Sequence, residues 1–259
     1  MIDTHAHLYE KYYGDSLPRI VKELASDFSL LINVGIDFKT TKEALALART
    51  EDYMKATAGI HPHYAKSLDR SDLKELERLL LDPEIVALGE IGLDYYYQNN
   101  SREIQQKMAG QLLELAEQTN KPVILHVRCS KQSETDAFDD IFSVLDSHNY
   151  RLPEVIFHCF SGNKKTLDKI LSRGFYISYA GNLTYPGSKS LREAAKATPA
   201  DRLLVETDCP YLTPQKKRGE QNRPEYVNYT FNKLVELHDI SPTKLLNIME
   251  ETSKKIFKL

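Results

Sequence analysis

The sequence predicts an α/β fold, a single-domain (β/α)8 barrel over residues 1–259, and three observations lead there. Short apolar runs alternate with amphipathic segments from end to end, about eight βα repeats in 259 residues, which is the arithmetic of a closed barrel. Runs such as VILHV and VIFHCF are apolar throughout rather than alternating, as parallel strands covered on both faces require. Histidines and carboxylates recur where a predicted strand meets the loop after it, the end at which such barrels place their chemistry.

The strand candidates are, in order, MIDTHA, SLLINVG, MKATAGI, IVALGEI, PVILHV, EVIFHCF, FYISYAG and RLLVETD. Apolar residues recur at helical spacing between them, over Leu17–Ser26, Thr40–Arg49, Ser71–Leu81, Ile104–Thr119, Ala137–Ser147, Lys164–Ser172 and Leu191–Ala197. Asn222–Leu237 and Pro242–Lys255 read as two further helices. An open doubly wound sheet has fewer strands and a glycine-rich phosphate loop after its first one, whereas here the first strand ends in THAHLY. No linker, low-complexity tract or break in composition divides the chain.

Composition narrows the function classes. The chain is 41% hydrophobic and 27% charged, neither disordered nor membrane-like, and no apolar run approaches the roughly 20 residues of a membrane span. It enters its first strand directly, without the pattern of a signal peptide, so a cytoplasmic location is expected. Cys129, Cys159 and Cys209 are too few for a disulfide framework and are expected to pack, reduced, behind the site. A net charge of −3 gives no broad basic face for long duplex, so contact with nucleic acid would be local, at a strand end or a short stretch.

The candidate ligands follow from position. His5 and His7 lie two apart at the end of the first strand and so share a face, a better metal signal than a lone histidine. Glu90 sits in a strand otherwise made of Ile, Val, Ala, Leu and Gly, where an unpaired carboxylate is costly. A cation, or an Arg or Lys from another strand, relieves that cost, and two carboxylate oxygens allow Glu90 to bridge two ions. His126 and His158, each structural on its own terms, together suggest a second cluster, which Asp208 completes as ligand, general base or both. Six such donors exceed what one tetrahedral ion needs and point to two divalent ions, with Mg, Mn and Zn all suited to the set.

Other residues are placed to address a substrate. Arg128, two beyond His126, is positioned to clamp a phosphate, and His61 and His63 lie in a proline-containing turn after strand three. Lys216, Lys217, Arg218 and Arg223, near Asn222, form either a positive patch beside Asp208 or a solvated loop. Tyr95, Tyr96 and Tyr97 serve either base stacking or rim packing. His148 and His238, on helical segments, are set aside.

Taken in order, DTHAHL, GIHPH, GEIGLDYY, PVILHVR, FHCFSG and ETDCPYLTP resemble the TatD family of metal-dependent deoxyribonucleases, from Asp3 to the Asn222–Val227 segment. The resemblance implies a TIM barrel and a dinuclear site that hydrolyses phosphodiester bonds in DNA, with 3′-to-5′ exonuclease activity on single strands or strand ends. It implies that His5, His7, Glu90 and Asp208 hold one ion, that Glu90, His126 and His158 hold the other, and that Asp208 also orients the attacking water. Glu90 and Asp208 are then the catalytic pair, and His61, His63, Arg128 and Asn222 the substrate contacts. Two stretches depart from the family pattern: Asn222-Arg223-Pro224 stands where it reads Asn-Glu-Pro, and YAGNLTYPGS is a loose match.

An amidohydrolase-type enzyme acting on a small ester, lactone, amide or aminoacyl ester is the alternative. Many of those barrels bridge their metals with a modified lysine on the fourth strand, where this chain offers Glu90. A non-catalytic barrel that binds nucleic acid or a partner fits poorly with a full set of costly buried carboxylates. The oligomeric state is left open.

Overall fold

The computed structural model describes residues 1–65, 68–97, 100–147 and 151–259, and His148 lies outside them. Eight parallel strands pair in sequence order: β1 (Ile2–Ala6), β2 (Leu30–Val34), β3 (Met54–Ala58), β4 (Ile85–Asp94), β5 (Val123–Arg128), β6 (Val155–Phe157), β7 (Tyr176–Tyr179) and β8 (Leu203–Val205). The seam between β1 and β8 closes through a bridge between Ala6 and Cys209, where His7 N–H donates to the Cys209 carbonyl at 2.8 Å. Below it, Asp208 N–H donates to the His5 carbonyl at 2.9 Å. The expected (β/α)8 TIM barrel is the architecture observed.

Asp3 fastens the same seam from inside. Its Oδ1 accepts the Thr207 N–H at 3.0 Å and its Oδ2 accepts the Thr207 hydroxyl at 2.5 Å. Burial pushes the Asp3 carboxyl up to about 8, against the opposing pull of these hydrogen bonds.

Helices cover the outside of the barrel. The segment Arg102–Thr119 turns Met108, Ala109, Leu112, Leu113 and Ala116 inward at helical spacing. Asp37 and Asp69 open the helices Phe38–Ala48 and Arg70–Leu80 with capping boxes, each contributing about 1 kcal/mol. No helix among the described residues is long and apolar enough to cross a membrane.

Two departures from the sequence reading matter for the site. The runs EVIFHCF and RLLVETD yield strands of only three residues each, so His158 and Asp208 leave the ladder and turn over the barrel mouth. Cys159 and Asp208 adopt left-handed φ of 45° and 54° there, with backbone N–H groups taken by Glu206 Oε1 and the His5 carbonyl. The helix expected from Asn222 starts at Val227 instead, because the residue before Pro224, Arg223, is held extended at φ −142° and ψ 156°.

β4 is the longest strand, ten residues that are all buried, and it carries Glu90 and Asp94 on one face. Its backbone passes close to its neighbours. At Gly92, with φ +134°, a Cβ would stand 2.1 Å from the His126 carbonyl oxygen, so only glycine lets β4 run beside β5 here.

Candidate metal centre

At the carboxyl-terminal mouth of the barrel a cavity of about 580 Å³ is lined by His7, His61, Glu90, His126, His158 and Asp208, among others. His5 and His7 point their Nε2 atoms at one spot, 3.2 Å apart. Glu90 Oε2 stands 3.5 and 3.6 Å from them, and Asp208 Oδ1 stands 3.8 and 3.4 Å away. Ligands about 2.0–2.2 Å from a tetrahedral ion lie roughly 3.3–3.6 Å from one another, so these four atoms match the shell of a divalent cation. The hydrogen on His7 is fixed on the far nitrogen, because Nδ1 faces the Val34 carbonyl, an acceptor only, at 3.1 Å. Its Nε2 therefore offers a lone pair, as a metal ligand must.

The other oxygen of Glu90 faces a second set. Oε1 lies 2.7 Å from His126 Nδ1 and 2.7 Å from His158 Nε2, and those two nitrogens are 3.2 Å apart. Burial opposes charge on both imidazoles, yet Glu90 and Glu206 raise His158 well above the ordinary range, and Asp94 and Glu90 raise His126. Protons thus sit where a cation would, and an ion entering this set displaces them. Burial likewise opposes charge on Glu90 and Asp208, but the histidines around each outweigh it and hold both below the usual carboxylate range. The donors fit divalent ions on both sides of Glu90.

Among family comparisons, residues 2–258 match the family described as TatD related DNase. The chain belongs to the TatD family. The uncharacterized metal-dependent hydrolase YabD of Bacillus subtilis is 32% identical over 260 residues, covering 100% of this chain and 99% of that protein. YcfH of Escherichia coli K12, another uncharacterized metal-dependent hydrolase, is 32% identical over 263 residues, covering 100% of this chain and 96% of its own. The crystal structure of YJJV, a TatD homolog from Escherichia coli K12, matches with a TM-score of 0.89 at 27% identity, covering 100% of this chain and 98% of that one. The protein is accordingly a metal-dependent hydrolase of the TatD family.

The barrel of this TatD chain brings His5, His7, Glu90, His126, His158 and Asp208 into one cluster. His61 comes closer than a rim residue, with Nε2 at 3.5 Å from Glu90 Oε1. Its Nδ1 accepts the His63 N–H at 3.1 Å, and burial lowers its pKa well below the ordinary value, so His61 is neutral with its hydrogen on Nε2. It is a donor aimed into the site, not a lone-pair ligand. His63 and Arg128 also line the cavity, and the Arg128 guanidinium lies 4.1 Å from the Tyr96 ring and 4.9 Å from that of Tyr97.

Asn222, expected as a substrate contact, is not among the residues that line the cavity. It is fully buried, and its amide donates to the Thr207 carbonyl at 2.9 Å and to the Tyr211 carbonyl at 2.5 Å, tying down the loop that carries Asp208. The positive patch also dissolves in part: Arg223 pairs with Glu225 at 2.7 Å, and Lys217 pairs with Glu220 at 3.2 Å. Cys159 lines the cavity rather than packing behind it, and Cys209 is buried. His238 ends the helix Val227–His238, away from the cavity lining.

Two carboxylates escaped the sequence reading. Glu206 Oε1 holds His158 Nδ1 at 3.3 Å, and Asp94 Oδ2 holds His126 Nε2 at 3.0 Å. Both lie where the reasoning applied to Glu90 would have found them, at buried strand ends an even number of residues from an identified ligand.

Proposed function

We propose that this protein is a deoxyribonuclease that hydrolyses phosphodiester bonds of DNA with two divalent ions, Mg, Mn or Zn, acting 3′-to-5′ on single strands or strand ends. One observation carries the reading: the two oxygens of Glu90 face two separate sets of donors, His5, His7 and Asp208 on one side and His126 and His158 on the other. When bound, two such ions supply Lewis acidity toward a water and toward the phosphoryl oxygens.

The protein's own groups then divide the work. Asp208 holds the attacking water and takes its proton at the carboxylate, for which its depressed pKa keeps it ionised. The water oxygen bonds to phosphorus as the bond to the leaving sugar oxygen breaks in line, and that oxygen takes up a proton from solvent water. His61 Nε2–H donates to a phosphoryl oxygen, and the Arg128 guanidinium, pre-oriented on Tyr96 and Tyr97, clamps the phosphate with its fork of donors. The cavity, about 580 Å³, is of the size that takes small ligands, roughly 300–1,000 Å³, which suits a strand end better than the middle of a duplex.

Product mapping on end-labelled single-stranded and duplex DNA with Mg, Mn and Zn tests this. Stepwise loss of nucleotides from the 3′ end, fastest on single strands, is expected. Intact DNA with every ion, alongside turnover of small esters or lactones by the same preparation, would overturn it in favour of an amidohydrolase-type activity.

A further inference from the structure

Asp94 ends β4 with its side chain 1% exposed, and every acceptor position it offers is engaged on one side of the site or the other. Oδ2 accepts from His126 Nε2 at 3.0 Å and from His63 Nε2 at 3.0 Å. Oδ1 accepts the backbone N–H groups of Tyr96 at 2.9 Å and Tyr97 at 3.2 Å. The main chain of Asp94 is itself pinned by Gln105, whose Oε1 takes the Asp94 N–H at 2.7 Å and whose amide donates to the Asp94 carbonyl at 3.0 Å.

An ionised carboxylate has acceptors only. Opposite Asp94, His126 must therefore carry a hydrogen on Nε2, and Nδ1 is the nitrogen turned toward Glu90 Oε1 and His158 Nε2. On the other flank, the Tyr96–Tyr97 turn that Asp94 holds presents the two rings against which Arg128 lies. We infer that Asp94 is a positioning residue for the hydrolytic reaction: it selects the nitrogen that His126 offers to an ion, and it sets the turn against which Arg128 lies at the cavity. The inference rests on the two-ion reading above.

Asp94→Asn separates this role from mere packing, because the amide is nearly the same size and carries donors on one arm. A donor facing His126 Nε2 favours the tautomer with hydrogen on Nδ1, which turns an N–H instead of a lone pair toward Glu90 and His158. Zinc titration with a competing chelator, read together with the visible spectrum of the cobalt-loaded protein, follows the two ions. The wild type is expected to bind two ions. In Asp94→Asn one ion should bind about 10–100-fold more weakly, with a changed cobalt spectrum, while the other is unchanged. Two ions held by Asp94→Asn as tightly as by the wild type would overturn the inference and leave the two-ion reading standing. Fewer than two ions in the wild type would overturn both.

A second measurement stands should Asp94→Asn not fold. Long-range proton–nitrogen NMR of the zinc-loaded, ¹⁵N-labelled wild type, with the His126 signals assigned through His126→Gln, should show the hydrogen on Nε2. A hydrogen on Nδ1 overturns the inference.

Discussion

Glu90 and His158 meet at 2.7 Å, Oε1 to Nε2, while Glu206 grips the far nitrogen of the same ring at 3.3 Å. The second oxygen of Glu90 faces His5 and His7, so one side chain belongs to both halves of the cluster. Glu90→Gln keeps the shape but removes the charge from both halves. Metal content measured by mass spectrometry should fall for both ions, and hydrolysis should drop by more than the roughly 10–100-fold typical of losing an outer hydrogen-bond partner. Full metal content in Glu90→Gln would refute the bridging role.

His61 predicts a different signature. His61→Ala should retain both ions yet lose about 100-fold in kcat, the scale of removing one donor aimed at developing charge. His61→Gln, which keeps an N–H near the same place, should recover part of that loss. If His61→Ala instead loses an ion, the residue is a ligand and the tautomer assignment is wrong.

Arg128 stacks on two tyrosine rings, a placement that suits a planar guanidinium and not an ammonium. Arg128→Lys, which keeps the charge but loses the fork, should raise KM for oligonucleotides roughly 10-fold, about 1–2 kcal/mol, and Arg128→Ala, which removes the charge, should also flatten its dependence on salt. Initial rates at several ionic strengths decide it, and unchanged KM and slope would rule out the phosphate clamp.

Gly92→Ala tests the packing that sets the site. Its added Cβ meets the His126 carbonyl in a backbone conformation closed to alanine, so the loss in urea unfolding should exceed the 1–3 kcal/mol usual for a strained residue. A smaller change would mean that β4 and β5 separate easily here.

The pH dependence of stability has a definite sign at Asp3. Its folded pKa of about 8 lies above the unfolded value of 3.8, so the folded state binds the proton more tightly. The stabilisation is complete below about pH 4 and is lost as the pH rises toward 8. In chelator, the melting temperature of Asp3→Asn should therefore fall less than that of the wild type between pH 5 and pH 8. Parallel curves for the two proteins would show that Asp3 does not titrate in this window.

The barrel was legible because its signals are local. Apolar runs such as VILHV, amphipathic spacers and strand-end histidines each follow from the few residues around them. The same locality said least at Asn222 and Arg223, the first expected as a substrate contact and the second as part of either a positive patch or a solvated loop. The partners Thr207 and Tyr211 of Asn222, and Glu23 of Arg223, come from elsewhere in the chain, and only Glu225 stands close by in sequence.

By itself, the sequence determined the (β/α)8 order, the six residues of the cluster and the placement of Glu90 at its centre, since burial of a carboxylate in an apolar strand demands a partner. Only the tertiary structure decided which nitrogen each histidine presents. That choice depends on what lies behind the ring: the Val34 carbonyl for His7, Asp94 for His126, Glu206 for His158 and the His63 amide for His61. Three of these partners are acceptors from elsewhere in the chain, and the fourth, the His63 amide two residues on, is a donor to Nδ1 that leaves the hydrogen of His61 on Nε2. A hydrogen on one side of an imidazole separates a ligand from a donor, and its position is set by the donor or acceptor that the fold places behind the ring.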